Sequence, residues 1–126
     1  MLKKLGFVNG CFDVLHIGHI RLFEFAKKHC DILVVGIDTD ERVKELKGPD
    51  RPINNQDERA EFLMNLKNVD KVCFFSSDDG LTNLIKDTLP DIMIVGSDHR
   101  GKKVIGAEYA KELIFFERIK ARYCFS

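Results

Sequence analysis

The chain has 126 residues, enough for one domain with a core of its own. Its 20 basic residues balance its 20 acidic ones, which excludes the electrostatic footprint of a non-specific nucleic-acid binder or of a polybasic membrane-surface protein. No apolar stretch approaches membrane-spanning length, and the run after Lys3 and Lys4 is too short and interrupted for a signal peptide, so a cytoplasmic location without nucleic-acid or membrane partners is expected.

In chain order, Leu5, Phe7 and Val8 predict a buried strand, and Asn9-Gly10 is a strong local chain breaker. From Gly18 onward Ile20, Phe23, Phe25 and Ala26 recur near helical period, while Arg21, Glu24, Lys27 and Lys28 can face water. Asp31 to Ile37 is an almost unbroken apolar strand, the pattern of a parallel strand covered on both faces. Asp38, Thr39 and Asp40 offer caps for a short helix through Leu46, and Lys47 to Asn55 reads as a loop. Helical periodicity returns from Gln56 to Leu66, and Val69 to Phe75 is the third strand. Ser76, Ser77 or Asp78 caps a helix that Pro90 closes, Asp91 to Val95 is a fourth strand, and a polar loop with Arg100, Lys102 and Lys103 follows. A short helix from Gly106 to Lys111 and a fifth strand from Glu112 to Phe116 complete an α/β alternation, which implies a parallel sheet with right-handed crossovers.

In such sheets ligands bind beyond the carboxyl ends of the strands, where His16, Asp38, Ser76 and Asp98 all fall. The start of the first helix carries backbone N–H groups and the positive end of the macrodipole, a place to hold phosphate. His16 and His19, three apart across Ile17-Gly18, bring two imidazole donors to one side of it. Gly18 leaves room for close approach of a ligand to the backbone. The plainer alternative is a pair of packed or surface histidines beside an ordinary turn. No Gly-x-Gly-x-x-Gly turn follows the first strand, and no P-loop Gly-Lys-Ser or Gly-Lys-Thr occurs. The cysteines, Cys11, Cys30, Cys73 and Cys124, lack metal-binding or redox spacing and are read as reduced thiols.

Asn9-Gly10-Cys11-Phe12-Asp13, with His16-Ile17-Gly18-His19, resembles the signature of the cytidylyltransferase-like nucleotidyltransferases, and the resemblance covers roughly residues 5 to 118. It implies a single domain over residues 1–126 with a Rossmann-like three-layer sandwich around a five-stranded parallel sheet. It also implies that His16 and His19 stabilise the transition state of nucleotidyl transfer, and that Asn9, Gly10, Cys11, Phe12 and Gly18 contact the nucleotide. Cys11, as one small thiol, is read as packing in a reaction that needs no covalent intermediate. Lys44, Lys47, Arg51 and Arg59 would be solvated charges by themselves. The stretch from Lys47-Gly48 to Arg51-Pro52, with Asn54 and Arg59, resembles the heptose-phosphate subgroup, which gives Lys47 a catalytic part, Lys44 a phosphate contact, and Arg51 and Arg59 the acceptor phosphate.

Asp13 either holds its turn or, by the resemblance, meets the acceptor together with Asp38. Asp70 reads equally as structural, whereas Gly96-Ser97-Asp98 matches a family loop beside the nucleotide. Mg²⁺ is implied as the companion of the triphosphate, without a protein cage. The resemblance favours CTP and a phosphorylated polyol such as glycerol 3-phosphate, with ATP and heptose 1-phosphate as the alternative, and a homodimer as the assembly. Arg118 stands where the family has an arginine, but residues 119–126 lack the Ser/Thr-rich segment and helix that usually follow. That departure supports a rival reading, a nucleotide-binding or assembly domain without turnover.

Overall fold

Five apolar runs form the strands of one sheet, and what covers each face follows from their alternation. The computed structural model describes residues 3–117. The strands are β1 (Leu5–Gly10), β2 (Ile32–Asp38), β3 (Lys71–Phe75), β4 (Ile92–Gly96) and β5 (Glu112–Phe116). Between them lie α1 (Ile17–Lys28), α2 (Asp40–Lys47), α3 (Gln56–Met64) and α4 (Asp78–Thr88). All neighbours are parallel, in the order β3-β2-β1-β4-β5. The chain thus steps from β1 outward to β3, then crosses back to lay β4 and β5 on the other side of β1.

Side chains of a strand alternate between faces, so the sheet has two cores. Leu33, Val35 and Ile37 pack with Phe23 and Ala26 of α1 and Leu63 of α3. Phe7, Val34 and Met93 pack on the opposite face with Leu81 and Ile85 of α4. This is the expected Rossmann-like three-layer α/β sandwich. Among the described residues no helix is long and apolar enough to cross a membrane.

Three helices carry side-chain N-caps of the expected kind: Thr39, Asn55 and Ser77 accept the N–H of Arg42, Glu58 and Gly80. At the opposite edge of the sheet, aspartates entering strands accept N–H groups from neighbours. Asp91 takes that of Leu5 at 2.8 Å, and Asp70 takes that of Leu33 at 2.8 Å while pairing with Lys27. Asp70 is therefore structural.

Element ends shift by a residue or two, with β3 starting at Lys71 and α3 ending at Met64, and larger differences occur at the sheet's ligand edge and before β5. The breaker Asn9-Gly10 does not end β1, because both residues pair in register with Gly36 and Ile37. The helix expected from Gly106 to Lys111 is a single 3-10 turn, Ala107–Tyr109. Gly106 turns the chain at φ 81°, and a β-carbon there would lie 2.4 Å from Ile85, so the segment is pinned to the core too closely to continue as a helix. A second such turn, Ser97–His99, follows β4 where the sequence suggested only a loop.

The rims of β1 and β2 are held by buried charge. Arg59, fully buried on the inward face of α3, donates to the carbonyls of Asn54 (3.0 Å), Cys11 (2.9 Å) and Asp38 (2.8 Å) and to Asp40 (2.9 Å). Asp13, nearly as buried, receives the N–H groups of Ile53 and Asn54, each at 2.8 Å, and Arg51 Nε at 3.2 Å. It thereby clamps the 51–54 loop to the turn after β1. Burial works to raise the Asp13 pKa, but the Asn54 and Ile53 N–H groups and the Arg51 guanidinium outweigh it and hold the carboxyl below its ordinary value.

Three outcomes follow from this packing. Lysine cannot reproduce the planar fork that reaches four acceptors, so Arg59→Lys should lower unfolding free energy by about 3 kcal/mol, read from urea denaturation. The Asp13 clamp should be complete above the ordinary carboxylate value of 3.8 and lost as pH falls below it through the lower folded value. Asp13→Asn should remove that part of the acid dependence. Leu89, the exposed C-cap of α4, adopts a left-handed conformation at φ 47°. Leu89→Gly should relieve that strain and raise stability by up to about 1 kcal/mol in the same assay.

Candidate active site

Strand β1 runs beside β2 in continuous register from Leu5↔Ile32 to Gly10↔Ile37. Beside β4 it pairs only at Gly6↔Ile92 and Phe7↔Met93. Beyond those residues the ladder stops, and a cavity of about 540 Å³ lies between the carboxyl halves of the two strands. Val8, Asn9 and Gly10 line one side, and Ile94, Val95 and Gly96 line the other. This is where the order of connection reverses, the crevice in which open parallel sheets take ligands.

His16 and His19 form part of the wall, and their geometry amends the picture of a bare helix N-terminus. His16 is the N-cap of α1, and its Nδ1 accepts the Gly18 N–H at 3.1 Å. His19 Nδ1 accepts the His16 N–H at 3.2 Å, so two imidazoles make a reciprocal capping box. The first turn of α1 therefore has backbone donors already engaged by imidazoles. Because each Nδ1 is an acceptor, the proton of each neutral ring sits on Nε2. The rings lie 4.1 Å apart at 35°, which gives two side-chain N–H donors side by side.

Of the residues singled out from the sequence, Asn9, Gly10, Cys11, Phe12, Asp13, His16, Gly18, His19, Lys47 and Gly96 line this cavity. Lys47 comes from the end of α2. Lys44, Asp38, Arg51 and Arg59 are not among the described lining residues. The Arg59 guanidinium, expected at the acceptor phosphate, is instead engaged by three backbone carbonyls and Asp40 behind the cavity wall. Arg51 sits in the Asp13 clamp. Asp38 is buried with its carboxylate 3.5 Å from Arg42 Nε, and Arg42 also pairs with Asp78. Burial pushes the Asp38 pKa up despite the nearby Arg42 and Arg59 charges. Asp98 belongs to the 3-10 turn after β4, and Arg118 lies outside the described residues.

The sequence reading missed His99 and Lys103, which add basic groups to the cavity from the β4–β5 connection, next to Val104 and Ile105. The signal was available: they follow a strand at the same edge as His16. The Cys11 thiol is raised in pKa by burial, partly offset by Lys47 and Arg59, which keeps it a protonated packing group rather than a nucleophile. Among the described residues no group of His, Cys, Asp and Glu is placed to hold a metal ion. Asp13, the acidic residue among the described wall residues, has both carboxylate oxygens engaged.

A wall with basic groups from three segments, an apolar back and glycines at two strand ends suits a phosphorylated ligand with a flat apolar part. Residues 7–114 match the cytidylyltransferase-like family. The bifunctional protein HldE of Campylobacter fetus is 51% identical over 111 residues, 88% of this chain and 24% of that protein. HldE of Hyphomonas neptunium is 50% identical over 105 residues, 83% of this chain and 21% of that protein. The chain thus spans about a quarter of the length of the curated relatives it matches. Among solved structures, the lipopolysaccharide core biosynthesis protein from Thermoplasma volcanium superposes with a TM-score of 0.73 at 25% identity, covering 94% of this chain and 98% of that one. The pantothenate synthetase of Thermus thermophilus shares the fold, with a TM-score of 0.64 at 14% identity over 94% of this chain and 57% of that one. By its family match and its identity to these relatives, the chain belongs to the cytidylyltransferase-like family and is a nucleotidyltransferase domain.

Proposed function

We propose that this domain transfers the adenylyl group of ATP to a sugar phosphate of the heptose 1-phosphate class, releasing pyrophosphate. The observation that carries the reaction type is the pair of helix-capping imidazoles in the β1–β4 cavity that Lys47 also lines. The choice of substrates moves away from CTP and a polyol phosphate. It is supported by the identity to the HldE proteins and by the Asn9–Asp13 and Arg51–Asn54 stretches, which resemble the heptose-phosphate subgroup. A place in building envelope lipopolysaccharide accords with the Thermoplasma structure.

In this reading a phosphate oxygen of the acceptor attacks the α-phosphorus. The bond from that phosphorus to the bridging oxygen breaks, and pyrophosphate leaves with the electron pair. Charge grows on the equatorial and leaving oxygens, so the protein's task is to position donors and cations around them. His16 and His19 present Nε2–H to those oxygens, and Lys47 adds charge from α2. His99 and Lys103 add further basic groups to the wall, while Ile94, Val104, Ile105 and Phe116 provide apolar surface for base and ribose. Mg²⁺, carried by phosphate oxygens, supplies charge neutralisation when bound.

Pyrophosphate release with ATP or CTP against heptose 1-phosphate and glycerol 3-phosphate tests this reading. Release with ATP and the sugar phosphate supports it. Release only with CTP and glycerol phosphate overturns the substrates, and no release from folded protein favours the binding module. His16→Asn and His19→Gln keep side chains that can cap the helix but remove the imidazole Nε2–H. Each should lower turnover by about a hundredfold or more at little change in melting temperature, the effect of losing one transition-state donor. Full turnover in both would exclude the proposed role.

A further inference from the structure

Phe12 occupies an expensive backbone position. It sits in the left-handed region at φ 50°, where an L side chain is strained and glycine would fit freely. The residue is nonetheless only 8% exposed, with its ring enclosed on several sides. A β-carbon on Gly10 would meet the ring's Cε2 and Cζ at 3.0 Å, so the ring lies against the bare backbone at the end of β1. Phe23 closes a second side, at 5.3 Å and 58°. A further contact is with His19, whose ring centroid lies 5.3 Å away at 82°, an edge-on arrangement.

His19 is consequently held in several ways. Phe12 meets its ring edge-on, the His16 ring lies at 4.1 Å, and the His16 N–H reaches its Nδ1 at 3.2 Å. A half-turn of the imidazole about its last side-chain bond would exchange Nδ1 with a carbon, breaking the capping box and displacing Nε2. The 3.2 Å bond from the His16 N–H lies at the long end of the hydrogen-bond range, so by itself it opposes that turn weakly. A large ring wedged into a strained turn resists it by contact.

Resting on the adenylyl-transfer reading, we propose that Phe12 is a positioning residue for His19: its ring fixes the imidazole in the orientation that keeps Nδ1 in the helix cap and the proton on Nε2. The strain at Phe12 is then the means by which the β1–α1 turn brings an aromatic wedge against the imidazole. Gly10 belongs to the same device, since a β-carbon there would force the ring to give by a few tenths of an ångström.

The test uses the full chain with ¹⁵N-labelled histidine, recorded above the range in which imidazole titrates, together with steady-state pyrophosphate release. In the parent protein His19 should show the ¹⁵N pair of the Nε2–H tautomer. Phe12→Leu keeps apolar bulk without the ring, and Gly10→Ala shifts the ring by a few tenths of an ångström without removing it. Both should give His19 a mixed tautomer signature. In Phe12→Leu, kcat should fall on the order of tenfold while KM for ATP moves much less, as misorientation of a transition-state donor requires. Unchanged His19 signals in a folded Phe12→Leu protein, or in Gly10→Ala where the former does not fold, would overturn the proposal. A raised KM with unchanged signals would likewise overturn it and make Phe12 a ligand contact. If the parent chain releases no pyrophosphate, the adenylyl reading fails by itself, and the ¹⁵N signals still decide the role of Phe12.

Discussion

The separation of β1 from β4 is the constraint from which the site follows. A central strand of a parallel sheet is normally bonded along both edges, because buried backbone groups left without partners are costly. Here β1 keeps β2 for its full length and gives up β4 after Phe7 and Met93. The split is made possible by the reversal of connection order. β1, β2 and β3 are linked through α1, α2 and α3, whereas the chain returns through α4 on the other face before laying down β4. Two loops that leave adjacent strands in different directions cannot both continue the ladder, so the carboxyl halves of β1 and β4 border a cavity instead of each other.

Keeping that cavity open requires the surrounding loops to be rigid, and buried charge supplies the rigidity. Arg59 ties the carbonyls that follow β1 and end β2 to the loop before α3, and Asp13 ties the same loop to the turn before α1. Each ion has several hydrogen-bond partners, which is the condition under which desolvating it can be tolerated. Asp13 and Arg51 lie at or beside the site without being offered as reagents. Their role is to hold the turn carrying Phe12, His16 and His19 against the loop following α2.

How much of this was legible from sequence depends on whether the information was local. The strands were legible because a run such as Ile32–Ile37 can only be buried on both faces, and two of the helix caps because Thr39 and Ser77 act on their own first turns. The paired histidines were legible for the same reason. Arg59 was not, since an arginine near a phosphate-rich site and one that staples loops have the same local appearance. The distinguishing sign was its helical phase: Arg59 and Leu63 stand one turn apart on the inward face of α3. A charged residue in core phase signals a satisfied buried group before it signals a ligand. His99 and Lys103 were passed over, although they follow a strand at the ligand edge, because their loop looks like any other polar loop until the sheet order sets β4 beside β1.

The capping box changes what the helix start contributes. A bare N-terminus would offer backbone N–H groups to an anion. In this chain two imidazoles take part of that donor set for themselves and offer Nε2–H in exchange. Because the Nδ1 acceptors are occupied within the protein, the tautomer is decided by the fold, and the donors need no proton rearrangement when charge develops nearby. The same hydrogen bonds stabilise α1 and orient the site. Disturbance of either ring should therefore be felt in the helix, and fraying of the helix should be felt in the donors. That coupling makes the turn from Gly10 to His19 a single mechanical unit, in which local stability and readiness for chemistry are set by the same contacts.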